Sequence, residues 1–366
     1  MKIVLDDKIP YIAPGLEALR RELALRGTPL KVVAMAGAAI DHVAVSDADI
    51  LIVRTRTRCD AALLADSRVR LVVTATIGYD HLDTAWLESA GITWTNCPGC
   101  NATSVAQYVA SCLLLLERER GMVPASLTVG IVGVGHVGQA VAARLRHLGV
   151  GGLLLCDPPR EERGESPSET PASQWSSLEE VLRTCDVVTL HTPLTRARRH
   201  ATWHILDAEA FATMAQGQRE RHGGGTVVIN AARGGVIDEA ALEAAMDAGI
   251  VREAIIDTWE DEPRVRRTLL ERAYLATPHI AGYSADGKAN ATRMSLEAVA
   301  RHLGLAMTFE VTPPRLEMPP GMSDAGEAAT ALFLYDPRTD SARLKAKPDS
   351  FEWQRGHYPL RREHFG

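Results

Sequence analysis

The chain has 366 residues, 46% of them hydrophobic and 23% charged, with a formal net charge of -6. That is the composition of a globular chain long enough for two or three domains. The acidic balance argues against a general nucleic-acid surface. The opening MKIVLDDKIPYIAP meets acids and a proline before any signal-peptide core, and no stretch reaches the ~18 uncharged apolar residues of a membrane span. A cytoplasmic protein with neither a nucleic acid nor a membrane as partner is expected. The six cysteines are too few and too scattered for a disulfide framework. Cys97-Pro98-Gly99-Cys100 has redox spacing but sits in a proline-glycine turn without a thioredoxin pattern. No histidine or cysteine cluster has metal-ligand spacing, so no metal is expected.

Residues 1 to about 94 alternate apolar runs (KIVLDD, LKVVAMA, DADILIVRT, VRLVVTATI, GITWTN) with amphipathic segments such as PGLEALRRELALRG. This is the pattern of a parallel α/β sheet, whose ligand-facing loops lie at the C-terminal strand ends. Two such ends carry donors. In Val53-Arg54-Thr55-Arg56-Thr57-Arg58 the strand turns into a loop whose arginine forks and threonine hydroxyls suit a phosphate or carboxylate. A solvated edge that discourages aggregation reads the same way. In Thr74-Ala75-Thr76-Ile77-Gly78-Tyr79-Asp80, Thr76 offers a hydroxyl and Gly78 exposed backbone N–H groups; the alternative is a plain turn before a helix capped by Asp83.

From Asn96 a proline-glycine turn feeds a long apolar helix, a pattern that fits either a crossing between lobes or an ordinary core helix. Next comes LTVGIVGVGHVGQAVAARLRHLGVGGLLLCD, from Leu127 to Asp157. A buried strand runs into the loop Gly133-x-Gly135-x-x-Gly138, which opens a helix, and a second apolar run ends in an acid about 20 residues on. Backbone N–H groups at such a helix start receive a pyrophosphate, and the acid receives an adenosine ribose. The carboxylate of Asp157 would repel a 2′-phosphate, which favours NAD over NADP.

A polar, proline-rich excursion follows Asp157. SLEEVLRTCDVVTLHTPL then predicts a helix and a strand ending at His191-Thr192-Pro193, with Thr192 placed to line the cofactor crevice. Gln216 to Gly225, charged and glycine-rich, predicts an exposed loop. Three later strand ends carry chemistry: Ala231-Ala232-Arg233-Gly234-Gly235, Asp257 with Glu262 shortly after, and Thr277-Pro278-His279. Singly, Arg233, Glu262 and His279 read equally well as a structural ion pair, a surface acid and a core histidine. Together they suit hydride transfer from a hydroxyl-bearing carbon: His279 takes the proton, Glu262 holds the imidazolium, and Arg233 orients a neighbouring carboxylate.

The glycine loop, Asp157, Arg233-Gly234, Asp257-x-Trp259-x-x-Glu262-Pro263 and Pro278-His279-x-x-Gly282, in that order, resemble the D-isomer-specific 2-hydroxyacid dehydrogenases. The resemblance implies a Rossmann-type NAD-binding domain (95–283) inserted into a flavodoxin-like substrate domain (1–94 and 284–305), the helix Ala285 to Leu303 returning to the latter. It implies a catalytic set of Arg233, Glu262 and His279. Cofactor contacts are implied at Gly133, Gly135, His136, Val137, Gly138, Asp157, Thr192, Ala231, Asp257 and Gly282. Within the family the likeness is strongest to members acting on a small phosphorylated 2-hydroxy acid, through KIVLDDKIPY, VRT-x-TR with TATIGYDH, LLLCDPPR and HIAGYSADGKA. It implies substrate contacts at Thr55, Thr76 and Tyr283; Arg54 and Arg58 suit a phosphate by charge. Residues 306–366 resemble a small α+β dimerisation module with an LYD-x-R strand and a closing RRE, implying a homodimer, though the tail is short and Gln107 replaces a common Glu. A phosphoglycerate or hydroxypyruvate dehydrogenase, or a non-catalytic NAD-sensing protein of this fold, would share the triad.

Overall fold

The computed structural model describes residues 1–167, 174–197, 199–221 and 224–365. The chain divides into two compact units, Met1–Asn101 with Ser284–Arg315, and Ala102–Tyr283 with Leu316–Gly366. In the first, strands β1 (Lys2–Asp6), β2 (Lys31–Met35), β3 (Ile50–Val53), β4 (Leu71–Thr74) and β5 (Thr93–Thr95) form one parallel sheet in the order β2-β1-β3-β4-β5. This is the flavodoxin-like order. The apolar runs ILIV of β3 and LVVT of β4 are buried along their whole length, as central parallel strands covered on both faces must be. The helix Ala285–His302 packs Leu296, Val299 and Ala300 into the same core as Ile3, Leu5 and Val73.

The second unit carries β6 (Thr128–Val132), β7 (Gly152–Cys156), β8 (Val187–Leu190), β9 (Thr226–Asn230), β10 (Val251–Ile256) and β11 (Leu275–Ala276), all parallel, in the order β11-β10-β9-β8-β6-β7. The chain starts at β6, goes outward to β7, then returns to β8 on the other side. The winding therefore reverses between β6 and β8, and a crevice opens at their C-terminal ends.

Two expectations need correction. Gln216–Arg221 is not loop but the end of the helix Ala208–Arg221; His222 and Gly223 lie outside the described residues. Gly217 within that helix marks close packing, because a Cβ there would stand 2.1 Å from the carbonyl oxygen of Arg183. The polar stretch after Asp157 begins with the short helix Pro158–Glu162, and its residues 168–173 lie outside the described set.

The second correction concerns the tail, where the LYD-x-R strand does not form. Leu334 closes the helix Glu327–Leu334, and the helices Pro337–Ala346 and Phe351–Gly356 follow. Tyr335 is buried, where Arg361 stacks 3.6 Å above its ring and its hydroxyl donates to Asp340. The closing Arg361-Arg362-Glu363 locks onto the helix Ala102–Arg120. Arg361 donates to the side-chain oxygen of Gln107 (2.9 Å), Gln107 donates to the carbonyl of Arg362 (2.9 Å), and Ser104 donates to Glu363 (2.7 Å). Gln107 both accepts and donates here, which an ionised Glu could not do. Ser341 accepts from the N–H of Ala276, so the tail also covers the edge strand β11.

Candidate active site

The glycine loop follows β6 directly, and the helix His136–Leu148 begins within it. Gly133 adopts φ +87, and a Cβ on it would sit 2.8 Å from the backbone of His191 at the end of β8. Only glycine allows both. A Cβ on Gly138 would stand 2.1 Å from the carbonyl oxygen of Gly133, so this glycine lets the helix pack against the strand. Gly135 differs: its φ is -72, and a Cβ there would meet nothing of the protein. Gly135 and His136 are exposed and Val137 half-buried beside them. The space in front of Gly135 is the room a pyrophosphate needs, with helix N–H groups facing it. Asp157, at the end of β7, accepts from the N–H of Val134 (2.8 Å) and caps the helix Pro158–Glu162. Across the crevice Thr192 is buried with a hydroxyl that has no partner, as suits a group awaiting a ligand. These residues fit a dinucleotide. Gly135→Val is therefore expected to leave the unfolding midpoint within about 2 °C while weakening NAD binding at least about 100-fold, as titration by cofactor fluorescence would report.

The ends of β9, β10 and β11 carry the reactive groups. Buried Asn230 closes β9 and brackets two loops: its amide donates to the carbonyls of Arg233 (3.1 Å) and Thr258 (3.2 Å), and its oxygen accepts from the N–H of Ala232 (3.1 Å). Ala231 and Arg233 follow, half-buried, with the Arg233 guanidinium donating to the carbonyl of Ala232. Asp257, at the end of β10, is buried, and its carboxylate accepts from the hydroxyl of Thr277 (2.6 Å) and the N–H groups of Ile280 (2.7 Å) and Ala281 (3.0 Å). Its carbonyl accepts from the N–H of His279 (2.8 Å). His279 sits between these anchors in the left-handed region, at φ 56. Such a backbone costs about 1–2 kcal/mol and persists where its surroundings over-determine it. Asp257 supplies that constraint, and Gly282 and Tyr283 continue the same turn.

The structure brings His279 and Glu262 together: Nδ1 lies 2.8 Å from one carboxylate oxygen and 3.1 Å from the other. Glu262 also accepts from the N–H of Trp259 (3.0 Å), whose buried indole donates to the carbonyl of Thr277. Burial pushes the Glu262 pKa up, but His279, the Trp259 N–H and Arg355 outweigh it and hold the carboxyl below its ordinary value. Glu262 is thus ionised at neutral pH. Arg355 was not foreseen from the sequence. It comes from the tail helix Phe351–Gly356, with its guanidinium 3.9 Å from Glu262 and 3.4 Å from the Tyr283 hydroxyl. Asn230, too, carries no signal in the sequence beyond its place at the end of an apolar strand.

In the first unit β3 ends at Val53 and a turn holds Arg54 to Thr57, with Thr55 exposed. Arg54 donates to the carbonyl of Lys8 (3.2 Å). Arg58 departs from expectation: its fork lies on Asp60 (2.7 Å), the carboxylate that caps the helix Ala61–Leu64. Thr76 donates to the carbonyl of Gly78 and contacts the Thr74 hydroxyl, which in turn meets Nε2 of His81 (2.9 Å). Burial lowers His81 to about 4, so this relay carries no charge at neutral pH. Cys97 and Cys100 are free, buried thiols pushed up by burial to about 11 and about 12, the reverse of a reactive pair. Among the described residues no group of three or more His, Cys, Asp or Glu side chains could hold a metal ion, and no helix is long and apolar enough to cross a membrane.

The family model described as "D-isomer specific 2-hydroxyacid dehydrogenase, NAD binding domain" matches residues 116–281. A Bacteroides fragilis protein named erythronate-4-phosphate dehydrogenase is 46% identical over 363 residues, 99% of this chain and 97% of that one. One of the same name from Edwardsiella ictaluri is 41% identical over 374 residues, 99% and 93% of the two chains. Among solved structures, a Thermus thermophilus protein superposes with a TM-score of 0.63 at 25% identity, covering 86% of this chain and 100% of that one. An Aquifex aeolicus D-lactate dehydrogenase complexed with NAD and lactic acid shares the fold, with a TM-score of 0.59 at 22% identity, covering 85% and 100%. The chain belongs to the D-isomer-specific 2-hydroxyacid dehydrogenase family and is an NAD-dependent oxidoreductase.

Proposed function

We propose that the chain oxidises the 2-hydroxyl of 4-phospho-D-erythronate with NAD, giving 2-oxo-3-hydroxy-4-phosphobutanoate on the route to pyridoxal 5′-phosphate. One observation carries this choice of substrate. The 46% identity to the Bacteroides fragilis erythronate-4-phosphate dehydrogenase runs over 97% of that protein, so it spans the N-terminal unit as well as the catalytic dyad.

The chemistry follows from the dyad. With Nδ1 of His279 on Glu262, the imidazole presents Nε2 as the base that takes the proton of the 2-hydroxyl. Glu262, ionised, supports the positive charge that then forms on the ring. Arg233 pairs with the substrate carboxylate and polarises the nascent carbonyl. NAD, held by Gly133, Gly135, His136, Val137, Gly138, Asp157, Thr192, Ala231, Asp257 and Gly282, supplies the acceptor for the hydride leaving C2. Thr55, Thr76, Gly78 and Tyr283 contact the rest of the substrate. Arg54 and Arg58 receive the phosphate; since Arg58 rests on Asp60, it exchanges one anion for another on binding.

In this reading the protein is cytoplasmic and works as a homodimer, and sedimentation giving only the 39.6 kDa single chain would contradict the dimer. The substrate is tested with 4-phospho-D-erythronate, D-erythronate, 3-phospho-D-glycerate and D-glycerate under one set of conditions. The phosphorylated four-carbon acid is expected to exceed D-erythronate in kcat/KM by at least about tenfold, the worth of one charge-assisted hydrogen bond. Equal turnover of the two would overturn the proposal.

A further inference from the structure

Arg355 stands in the catalytic site without belonging to the triad. It lies in the last helix of the tail, its side chain mostly buried, 3.9 Å from the Glu262 carboxylate. One terminal nitrogen donates to the Tyr283 hydroxyl (3.4 Å), and the guanidinium carbon lies 5.9 Å from the centres of the Tyr283 and Phe351 rings. Its Nε is buried with no hydrogen-bond partner, so this cation is not held in place by saturation of its own donors. A buried guanidinium is costly unless an anion offsets it. Two carboxylates do so, Glu262 and Glu352, the second 3.4 Å away and about a third exposed.

We propose that Arg355 is a positioning residue of hydride transfer, through which the C-terminal tail sets the charge balance of the His279–Glu262 dyad. The inference rests on the dehydrogenase chemistry above and not on the phosphate of the substrate. Oxidation needs a histidine that can accept a proton. A carboxylate at 2.8 Å favours the protonated ring, the form that cannot take the proton of the substrate. Arg355 takes part of that carboxylate's field and adds a positive charge that opposes a second one nearby. Of the other charged or titratable groups around the dyad, Arg361 is committed to the carbonyls of Ile280 and Ser104 and to Gln107. Asp257 spends its carboxylate on Thr277, Ile280 and Ala281. Arg233, at the end of the neighbouring β9, pairs with substrate in the proposed chemistry. Tyr283 is the partner of Arg355 itself, and Glu352 screens Arg355 from its more exposed side chain.

The test is the pH profile of kcat/KM for oxidation, measured with any 2-hydroxy acid that the wild-type protein turns over, so that a wrong choice of substrate does not affect it. Arg355→Gln keeps a polar reach to Tyr283 without the charge, Arg355→Met removes both, and Arg355→Lys keeps the charge. For Gln and Met the acid limb is expected to move to higher pH by about one unit. That is about a tenfold loss at any pH well below the limb, recovered on the alkaline plateau, as for a unit charge several ångströms away in a partly screened site. The Lys variant is expected to keep the limb within about 0.3 unit. A limb that stays in place in the Gln and Met variants, whether or not the plateau falls, would overturn the proposal, because a structural role lowers the rate at every pH alike.

Discussion

His279→Gln is expected to lower kcat by about 10²–10⁴-fold while NAD binds within about twofold of wild type. The base sits on a turn whose backbone is held by Asp257 and whose ring is held by Glu262, and neither contact touches the glycine loop in front of Gly135. Stopped-flow oxidation under single-turnover conditions, with cofactor titration alongside, separates the two. The variant also removes the two largest influences that lower the Glu262 pKa, leaving the Trp259 N–H and Arg355 against its burial. A variant that retained more than about a tenth of wild-type kcat would remove His279 from the role of general base.

Gly234→Ala is expected to do comparable damage from outside the reacting atoms. A Cβ at Gly234 would stand 1.7 Å from the carbonyl oxygen of Trp259 and 2.2 Å from its carbonyl carbon. Both are backbone and cannot rotate away. Relief must come from separating the loop after β9, which carries Arg233, from the loop after β10, which carries Glu262. Asn230 ties these two loops together through the carbonyls of Arg233 and Thr258. Overpacking of this kind costs about 1–3 kcal/mol of stability. A displacement of about 1 Å between the carboxylate-binding arginine and the dyad costs about 100-fold in rate. Urea unfolding and steady-state kinetics on the same preparation measure both, and a fully active, equally stable variant would show that the two loops are not coupled through this contact.

What could be read in the chain beforehand follows the reach of the forces involved. Gly133, Gly135, Gly138 and Asp157 were legible because each obeys a rule local to one strand-loop-helix unit. The pairing of His279 with Glu262 needed only strand ends on neighbouring parallel strands. Asn230 and Asp257 were not legible as brackets. Among their partners are the Thr258 carbonyl and the Ile280 N–H, 28 and 23 positions away, and backbone groups leave no mark in a sequence. Arg355 was hidden for a similar reason, since nothing in PDSFEWQRGHY says that this helix turns back onto Glu262. The LYD-x-R strand that the resemblance implies does not form; Leu334 ends a helix instead. Burial of Tyr335 under Arg361, with Asp340 accepting its hydroxyl, favours that outcome. Gln216–Arg221 has the charges and glycine of a loop, yet Gly217 is the residue that lets the helix lie against Arg183.

The most direct measurement follows the C2 hydrogen itself. With 4-phospho-D-erythronate deuterated at C2 and unlabelled NAD, mass spectrometry of the reduced cofactor is expected to find one deuterium per turnover, with one equivalent of the 2-oxo acid formed. Reduced cofactor without deuterium, or no reduction in the presence of this substrate, would contradict oxidation at that carbon by this site.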